Sequence, residues 1–179
     1  MLSTRAAISS SIMLNSGSVF DLTHPNYDKI SIEDIAHGLS LTCRYAGQCN
    51  SFYSVAEHSV LVSSIVTRRV GLEALLHDAA EAFIGDITRP LKHLLPDFQE
   101  IETKILKAIF ERFQLEFPLA EEVKLADDRV MAAELQELMP SGTNKWLQDL
   151  RIRPAQVVIR GLTPEAAKSV FLERFSELT

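Results

Sequence analysis

The sequence predicts an all-α protein, a single helical bundle-like domain with minor β elements. Three observations support this class. Apolar residues recur at helical spacing, capping residues, prolines and glycines mark the ends of these segments, and β-like patterns are confined to residues 18–23 and 156–160. We expect one domain over residues 18–179, preceded by a loosely ordered extension over residues 1–17. With 46% hydrophobic residues, this domain can bury an ordinary core.

Six helices are predicted, each from apolar positions at helical spacing together with a start or stop signal. Their expected ranges are residues 31–39, 54–68, 72–84, 97–114, 118–139 and 163–178. Before the first helix, residues 18–23 predict a short strand or hairpin arm. The third helix is apolar almost all round and should be central. Residues 86–96 contain two prolines and are expected to form a shaped loop rather than one regular helix.

Charge and cysteine content exclude several classes of protein. A formal net charge of −6 argues against coating nucleic acid, which requires clustered Lys and Arg, but is compatible with a small phosphorylated ligand. No apolar run approaches the roughly 20 residues that cross a bilayer. Cys43 and Cys49 have neither a redox nor a zinc spacing, and we interpret them as free thiols in a reducing cytosol. A cytoplasmic protein is therefore expected.

Two histidines and two aspartates occupy inward positions on otherwise apolar helices. Adjacent His77 and Asp78 lie among Leu, Ala and Phe, where unpaired polar side chains are unfavourable. His58 shares the core-facing stripe of the preceding helix, and Asp127 lies at the edge of an apolar stripe whose polar side carries Asp128. Each position alone could be structural. Together the four form a ligand set suited to one divalent ion of the transition type, such as Co, Mn or Zn, with Mg also compatible.

Glu81 follows His77 and Asp78 by about one helical turn, which puts its carboxylate on the side of the expected metal. Acids near a metal can orient water. The alternative is a solvated carboxylate at the end of a helix.

The order of one His, a His-Asp doublet and a distant Asp resembles the HD-domain phosphohydrolases, in which these residues share a metal. Residues 53–58 (YSVAEH) and 75–81 (LLHDAAE) are similar to the branch that contains the 5′-deoxynucleotidases and their phage-associated relatives, and residues 85–92 continue the similarity. The resemblance covers roughly residues 18–138 and implies an HD-domain helical bundle. The metal ligands that it implies are His58, His77, Asp78 and Asp127.

The same resemblance implies residues that handle substrate and water. An Arg before the first His, a Glu three residues after the doublet and an Asp after a Gly match Arg44, Glu81 and Asp86 here. Tyr45 fits the aromatic residue that usually follows the Arg. A guanidinium suits a phosphate, although an ordinary surface Arg is the alternative. Lys92 is a further substrate-binding candidate, with a merely solvated loop Lys as its alternative.

These residues lead us to expect metal-dependent hydrolysis of a phosphate monoester, the 5′-phosphate of a nucleoside monophosphate. Arg44 would clamp the phosphate, and Glu81 or Asp86 would assist proton transfer as the catalytic groups. The alternatives are an HD phosphodiesterase acting on a cyclic or signalling nucleotide and an inactive nucleotide-binding module. The expected partners are a small phosphorylated substrate and, as a candidate homodimer, a second copy of the chain.

Overall fold

The computed structural model describes residues 10–140 and 151–179, and most of these residues are helical. This confirms the predicted mainly-α class. A hairpin of β1 (Ser11–Met13) and β2 (Val19–Asp21) precedes the helices. The helices in the described residues are α1 (Ile32–Leu41), α2 (Val55–Ser64), α3 (Gly71–Leu76), α4 (Glu81–Ile84), α5 (Arg89–Leu94), α6 (Pro96–Arg112), α7 (Glu121–Glu137) and α8 (Pro164–Leu178).

Three helices begin where their capping residues predicted. The hydroxyl oxygens of Ser31, Ser54 and Thr163 accept hydrogen bonds from backbone N–H groups in the first turns of α1, α2 and α8. Each such cap typically contributes about 1 kcal/mol, because it satisfies an N–H group that has no partner within its own helix. The starts of these helices are therefore set locally.

The core lies between α1, α2, α3 and α8, with α6 packed on one side. A second apolar cluster, which includes Val62, Val123 and Val130, joins α2 to α7. Helix α1 also approaches α4 closely at Gly38, where a β-carbon would lie 2.5 Å from the carbonyl oxygen of Ala82. This packing holds α2, the α3–α4 segment and α7 around one interior point.

The helix predicted over residues 72–84 is interrupted at the His77-Asp78 doublet. Between α3 and α4 the backbone winds more tightly: the N–H groups of Ala79 and Glu81 donate to the carbonyl oxygens of Leu76 and Asp78, three residues back. Helical periodicity in the sequence does not distinguish this tighter winding from an α-helix, which explains the difference. Such short 3₁₀-type stretches inside helices frequently lie at functional positions.

The β element predicted around residues 156–160 is wrong, since the structure has no strand there. The segment is extended, but its backbone donors bind elsewhere: the N–H of Ala155 donates to Arg129 on α7, and the N–H groups of Arg160 and Leu162 donate to the buried carboxylate of Glu57 on α2. Ala155 and Ile159 are buried against helices, and the residues beside them are more exposed. This alternation of buried and exposed side chains has the two-residue period of a β-strand.

The N-terminal hairpin confirms the strand predicted over residues 18–23 and shortens the expected extension. Residues 1–9 lie outside the described residues, but Ser11–Met13 pair with β2, and Ile12 packs against the core. In the connecting turn, the N–H of Ser16 donates to the carboxylate of Asp34 on α1 (3.0 Å). Residues 11–13 of the expected extension therefore form part of an ordered hairpin. None of the described helices has the length and apolar content that a membrane-spanning helix needs.

Candidate metal centre

Helices α2 and α7 and the tight turn after α3 bring His58, His77 and Asp127 together. The Nε2 atoms of His58 and His77 lie 3.1 and 3.9 Å from the Oδ1 atom of Asp127. The ligand atoms of the three residues all lie within 4.8 Å of one another, so this group could hold a metal ion. Asp128, the next residue on α7, lies outside the group, as predicted, and contacts Arg89.

The two imidazoles have the hydrogen bonding expected of metal ligands. Nδ1 of His58 lies 2.6 Å from Oε1 of Glu134, and Nδ1 of His77 lies 2.8 Å from the carbonyl oxygen of Ala74. Because both partners are acceptors, each Nδ1 carries a proton, and in the neutral imidazoles the Nε2 lone pairs face the centre. Both Nε2 atoms are buried and have no hydrogen-bond partner within residues 10–140 and 151–179. A divalent cation fits this arrangement.

Asp78, the fourth predicted ligand, is not one of the three grouped residues but lies beside both histidines. Its Oδ2 atom is 3.2 Å from Nε2 of His77 and 3.6 Å from Nε2 of His58. Burial by itself would raise the pKa of Asp78, but the charge and close contact of His77, followed by the charges of His58 and Arg44, hold that pKa far below its usual value. Asp78 is therefore ionised and within reach of the predicted site.

The electrostatic environment of the centre favours a cation. Burial and the charge of Arg44 lower the pKa of His58, but the charge of Glu134 and the close carboxylates of Asp127 and Glu134 outweigh them and raise this pKa to about 9. The carboxylates that stabilise a proton at this position would also offset the charge of a divalent ion. The ligand set is thus suited to a cation in both charge and geometry.

Glu134 is a site residue that the sequence analysis missed. Its fully buried carboxylate accepts hydrogen bonds at both oxygens, from Nε of Arg44 (3.2 Å), Tyr45 OH (2.5 Å), Tyr53 OH (2.8 Å) and Nδ1 of His58 (2.6 Å). A signal was present in the sequence: Glu134 lies seven residues, or two helical turns, after Asp127 within an apolar run. An acidic residue on that face needs buried partners.

The loop after α1 places Arg44 and Tyr45 beside the centre. Tyr45 and Ala46 adopt left-handed backbone conformations, with φ of 57° and 51°, which non-glycine residues rarely adopt. This turn directs both the guanidinium of Arg44 and the phenol of Tyr45 to Glu134, and Nη1 of Arg44 also lies 3.4 Å from Oδ2 of Asp78. The conformation costs about 1–2 kcal/mol per residue, which the hydrogen bonds to Glu134 offset.

Glu81 and Lys92 form a second polar group beside the doublet. Nζ of Lys92 donates to Oε1 of Glu81 (3.4 Å) and to Oε1 of Glu102 (2.6 Å). The other oxygen of Glu81 is buried and has no hydrogen-bond partner among the described residues. Burial, and then the charges of Asp78 and Asp86, raise the pKa of Glu81 well above its usual value. Glu81 can therefore carry a proton inside the site.

Asp86 follows α4 and belongs electrostatically to the same region. Burial, followed by the charge of Asp78, raises its pKa, while Arg44 and Lys92 oppose the shift.

The loop predicted over residues 86–96 contains the short helix α5, which begins at Arg89. The sequence analysis missed Arg89, although it lies within that segment. Its Nη2 atom is 3.1 Å from Oδ2 of Asp127, so Asp127 faces His58 with one oxygen and Arg89 with the other.

Two bacterial proteins are similar to this chain over almost its whole length. The uncharacterized protein YfdR of Escherichia coli (strain K12) is 41% identical over 166 residues, which cover 92% of this chain and 93% of YfdR. The uncharacterized protein RCAP_rcc00048 of Rhodobacter capsulatus is 35% identical over 180 aligned positions, covering 89% of this chain and 90% of the relative. No protein-family model matches the chain. Neither relative's name states an activity.

Proposed function

The chain belongs to one family with these two bacterial proteins, and we propose that it is a divalent-metal-dependent phosphohydrolase of the HD-domain type. The substrate that we propose is the 5′-phosphate of a nucleoside monophosphate. One observation carries the proposal: two buried imidazoles direct their Nε2 atoms at Asp127 and Asp78, and the guanidinium of Arg44 contacts that same Asp78. The proposed cation site and the proposed anion-binding group are thus adjacent.

The residues that would hold the ion are His58, His77 and Asp127, with Asp78 as the fourth ligand. Two imidazoles and two carboxylates suit a divalent transition ion such as Co, Mn or Zn, and Mg is also compatible. When bound, the ion would supply Lewis-acid polarisation of the phosphoryl group. Glu134 and the carbonyl oxygen of Ala74 orient the two imidazoles through their Nδ1–H groups.

Arg44 is the proposed phosphate clamp. It is 8% exposed, and its hydrogen bonds within the described residues engage Nε and Nη1. The Nη2 donors therefore remain for a phosphate oxygen, and a guanidinium presents them in a fixed plane. Burial lowers the pKa of Arg44, but the charge of Glu134 and the neighbouring groups outweigh it and raise that pKa, so the clamp is always charged.

Tyr45 supports a nucleotide substrate at this clamp. The centre of its ring lies 5.3 Å from the guanidinium carbon of Arg44, and its hydroxyl is held by Glu134. A ring held in place next to the phosphate clamp offers a flat apolar face to the sugar or base that carries the phosphate. The similarity of residues 53–58 and 75–81 to the 5′-deoxynucleotidase branch supports the same substrate class.

Glu81 and Asp86 are the proposed acid–base groups, with Lys92 holding Glu81. Hydrolysis of a phosphate monoester requires a proton at the leaving oxygen and removal of one from the attacking water. Because burial keeps the carboxyl of Glu81 protonated more readily than an exposed acid, Glu81 is suited to give the proton to the leaving oxygen. Asp86 is the second candidate and would remove the proton from the attacking water.

A phosphate-release screen tests the proposal. The chelated protein is reloaded separately with Co, Mn, Zn or Mg and assayed on nucleoside 5′-monophosphates, 3′-monophosphates, cyclic nucleotides and a phosphate diester. We expect release from the 5′-monophosphates that needs added metal and is lost in His58→Ala and His77→Ala. Faster turnover of the cyclic nucleotides or the diester would favour a phosphodiesterase. Nucleotide binding without turnover under every metal would favour an inactive binding module.

A further inference from the structure

We propose that Cys43 and Cys49 form a reversible disulfide that regulates the loop carrying Arg44 and Tyr45. The effect on catalysis rests on the proposed function, whereas formation of the disulfide does not. The two sulfur atoms lie 3.8 Å apart, with both thiols free in this structure and both side chains partly accessible. The cysteines bracket the proposed substrate-binding residues, since one immediately precedes Arg44 and the other closes the loop.

The distance between the thiols is short enough for a bond after a small movement. A disulfide joins its sulfurs at about 2.05 Å, so the two atoms would approach each other by about 1.8 Å. Sγ of Cys49 already lies 3.8 Å from the carbonyl oxygen of Arg44, inside the loop. Bond formation therefore requires a local adjustment of residues 43–49 rather than a rearrangement of the helices.

Both ends of the loop are attached to the rest of the fold. The N–H of Arg44 donates to the carbonyl oxygen of Tyr53 (2.9 Å), and the N–H of Asn50 donates to that of Leu138 (2.8 Å). The residues between these attachments include Tyr45 and Ala46 in left-handed conformations. Shortening the distance between the sulfurs consequently shifts this segment, because its ends cannot move freely.

The chemistry is thiol–disulfide exchange with a low-molecular-weight disulfide such as glutathione disulfide. One cysteine, as its thiolate, attacks a glutathione sulfur, forms a mixed disulfide and releases one glutathione thiolate. The second cysteine then attacks the protein sulfur of that mixed disulfide and releases the second glutathione. The two cysteines lose two protons and two electrons, and glutathione disulfide gains them. Burial raises the pKa of the Cys49 thiol, so exchange quickens as pH rises.

The disulfide acts on substrate binding and not on metal binding. Arg44 touches Asp78 and Glu134 through Nη1 and Nε, and a shift of its backbone moves both contacts. The proposed metal ligands, Asp78 included, lie outside the loop, and His58 is held by the carboxylate oxygen of Glu134 that Arg44 does not contact. A misplacement of about 1 Å near the reacting groups lowers rates by about 10²-fold. The oxidised protein therefore keeps its metal and has a lower kcat/KM.

The experiment treats the metal-loaded, full-length protein with glutathione disulfide at mildly alkaline pH. Intact mass and peptide mapping detect the disulfide, and metal content and kcat/KM on a nucleoside 5′-monophosphate are measured beside them. The controls are Cys49→Ser and Cys43→Ser, neither of which can form the bond. We expect an intramolecular disulfide, unchanged metal content and a fall in kcat/KM of up to about 10²-fold. Dithiothreitol should restore the rate, and both Ser variants should be insensitive.

Three results would overturn the inference. The first is two glutathione adducts, or two unreacted thiols, in place of the intramolecular bond. The second is a disulfide that leaves kcat/KM unchanged, and the third is an equal loss of activity in the Ser variants. The mass measurements detect the disulfide whether or not the protein is active. A reduced protein that hydrolyses no phosphate ester would therefore contradict the proposed function but not the formation of the disulfide.

Discussion

Oε1 of Glu134 lies 2.6 Å from Nδ1 of His58, and the other oxygen of the same carboxylate accepts a hydrogen bond from Arg44. One buried side chain thus contacts both an imidazole of the candidate metal group and the proposed phosphate clamp. Losing a hydrogen-bond partner of this kind typically lowers metal affinity by about 10–100-fold. Glu134 therefore connects the two halves of the site.

Glu134→Gln should weaken metal binding by about 10–100-fold, because a neutral amide is a poorer acceptor for the Nδ1–H of His58. Metal affinity measured by competition with a chromogenic chelator checks this, beside a thermal unfolding curve. The matched control is Glu137→Gln on the same helix, since Glu137 is exposed. Equal affinities in the two variants would show that Glu134 does not orient the imidazole.

Glu134 should also make stability depend on pH in the acid range. Burial raises its pKa, but the charges of Arg44 and His58 and the hydrogen bonds outweigh burial and hold the pKa well below 4.5. The unfolded chain therefore binds more protons, so this contribution is present above about pH 4.5 and is lost as pH falls. Between pH 5 and 3, the free energy of unfolding should fall less in Glu134→Gln than in the wild type. Urea titrations of both proteins at each pH test this. An equal fall in the free energy of unfolding of the two proteins would contradict it.

Glu81→Ala should separate acid–base catalysis from metal binding. Its carboxylate contacts Lys92 and lies outside the group formed by His58, His77 and Asp127. We expect retained metal and fold, with turnover lower by about 10²–10⁴. Asp78→Ala should instead lose metal and activity together. Metal content and turnover are measured for both variants. Full activity in a metal-loaded Glu81→Ala protein would contradict the role of Glu81 and leave Asp86 as the acid–base candidate.

Bound metal should stabilise the folded chain through Asp127 and not through Asp128. A ligand at about 100 times its Kd stabilises the folded state by about 2.7 kcal/mol if it does not bind the unfolded chain. Thermal unfolding with and without Mn or Co should show this gain in the wild type and in Asp128→Ala. Asp127→Ala should lose it, because its Oδ1 atom faces both imidazoles. The same gain in all three proteins would place the metal elsewhere.

Gly38→Ala should destabilise the protein by about 1–3 kcal/mol, the usual effect of overpacking. The new β-carbon would meet backbone and Cβ atoms of Ala82 at 2.5–2.9 Å, and backbone cannot move aside easily. Gly71→Ala is the matched control, since its β-carbon meets only the flexible end of Leu178. Chemical denaturation of both variants measures the difference. A destabilisation no larger at Gly38 than at Gly71 would contradict close packing of α1 on α4.

The sequence by itself determined the helix starts at Ser31, Ser54 and Thr163 and the inward positions of His58 and Asp127. Caps and helical faces depend on residues within about four to seven positions of one another, so they can be recognised along the chain. The candidate metal group consists of residues that such local patterns identify. The order of His58, the His77-Asp78 doublet and Asp127 can therefore be recognised along the chain.

Only the tertiary structure decided the role of Glu134, the tight turn at the doublet and the proximity of Cys43 to Cys49. The donors that bind Glu134 lie 76 to 90 residues away in the chain, and no local pattern indicates such partners. The strand prediction for residues 156–160 was wrong for the same reason. The two-residue period of this segment indicates which side chains are buried, but not which groups its backbone N–H groups bind. Long-range contacts satisfy buried polar groups, and packing of the whole chain selects those contacts.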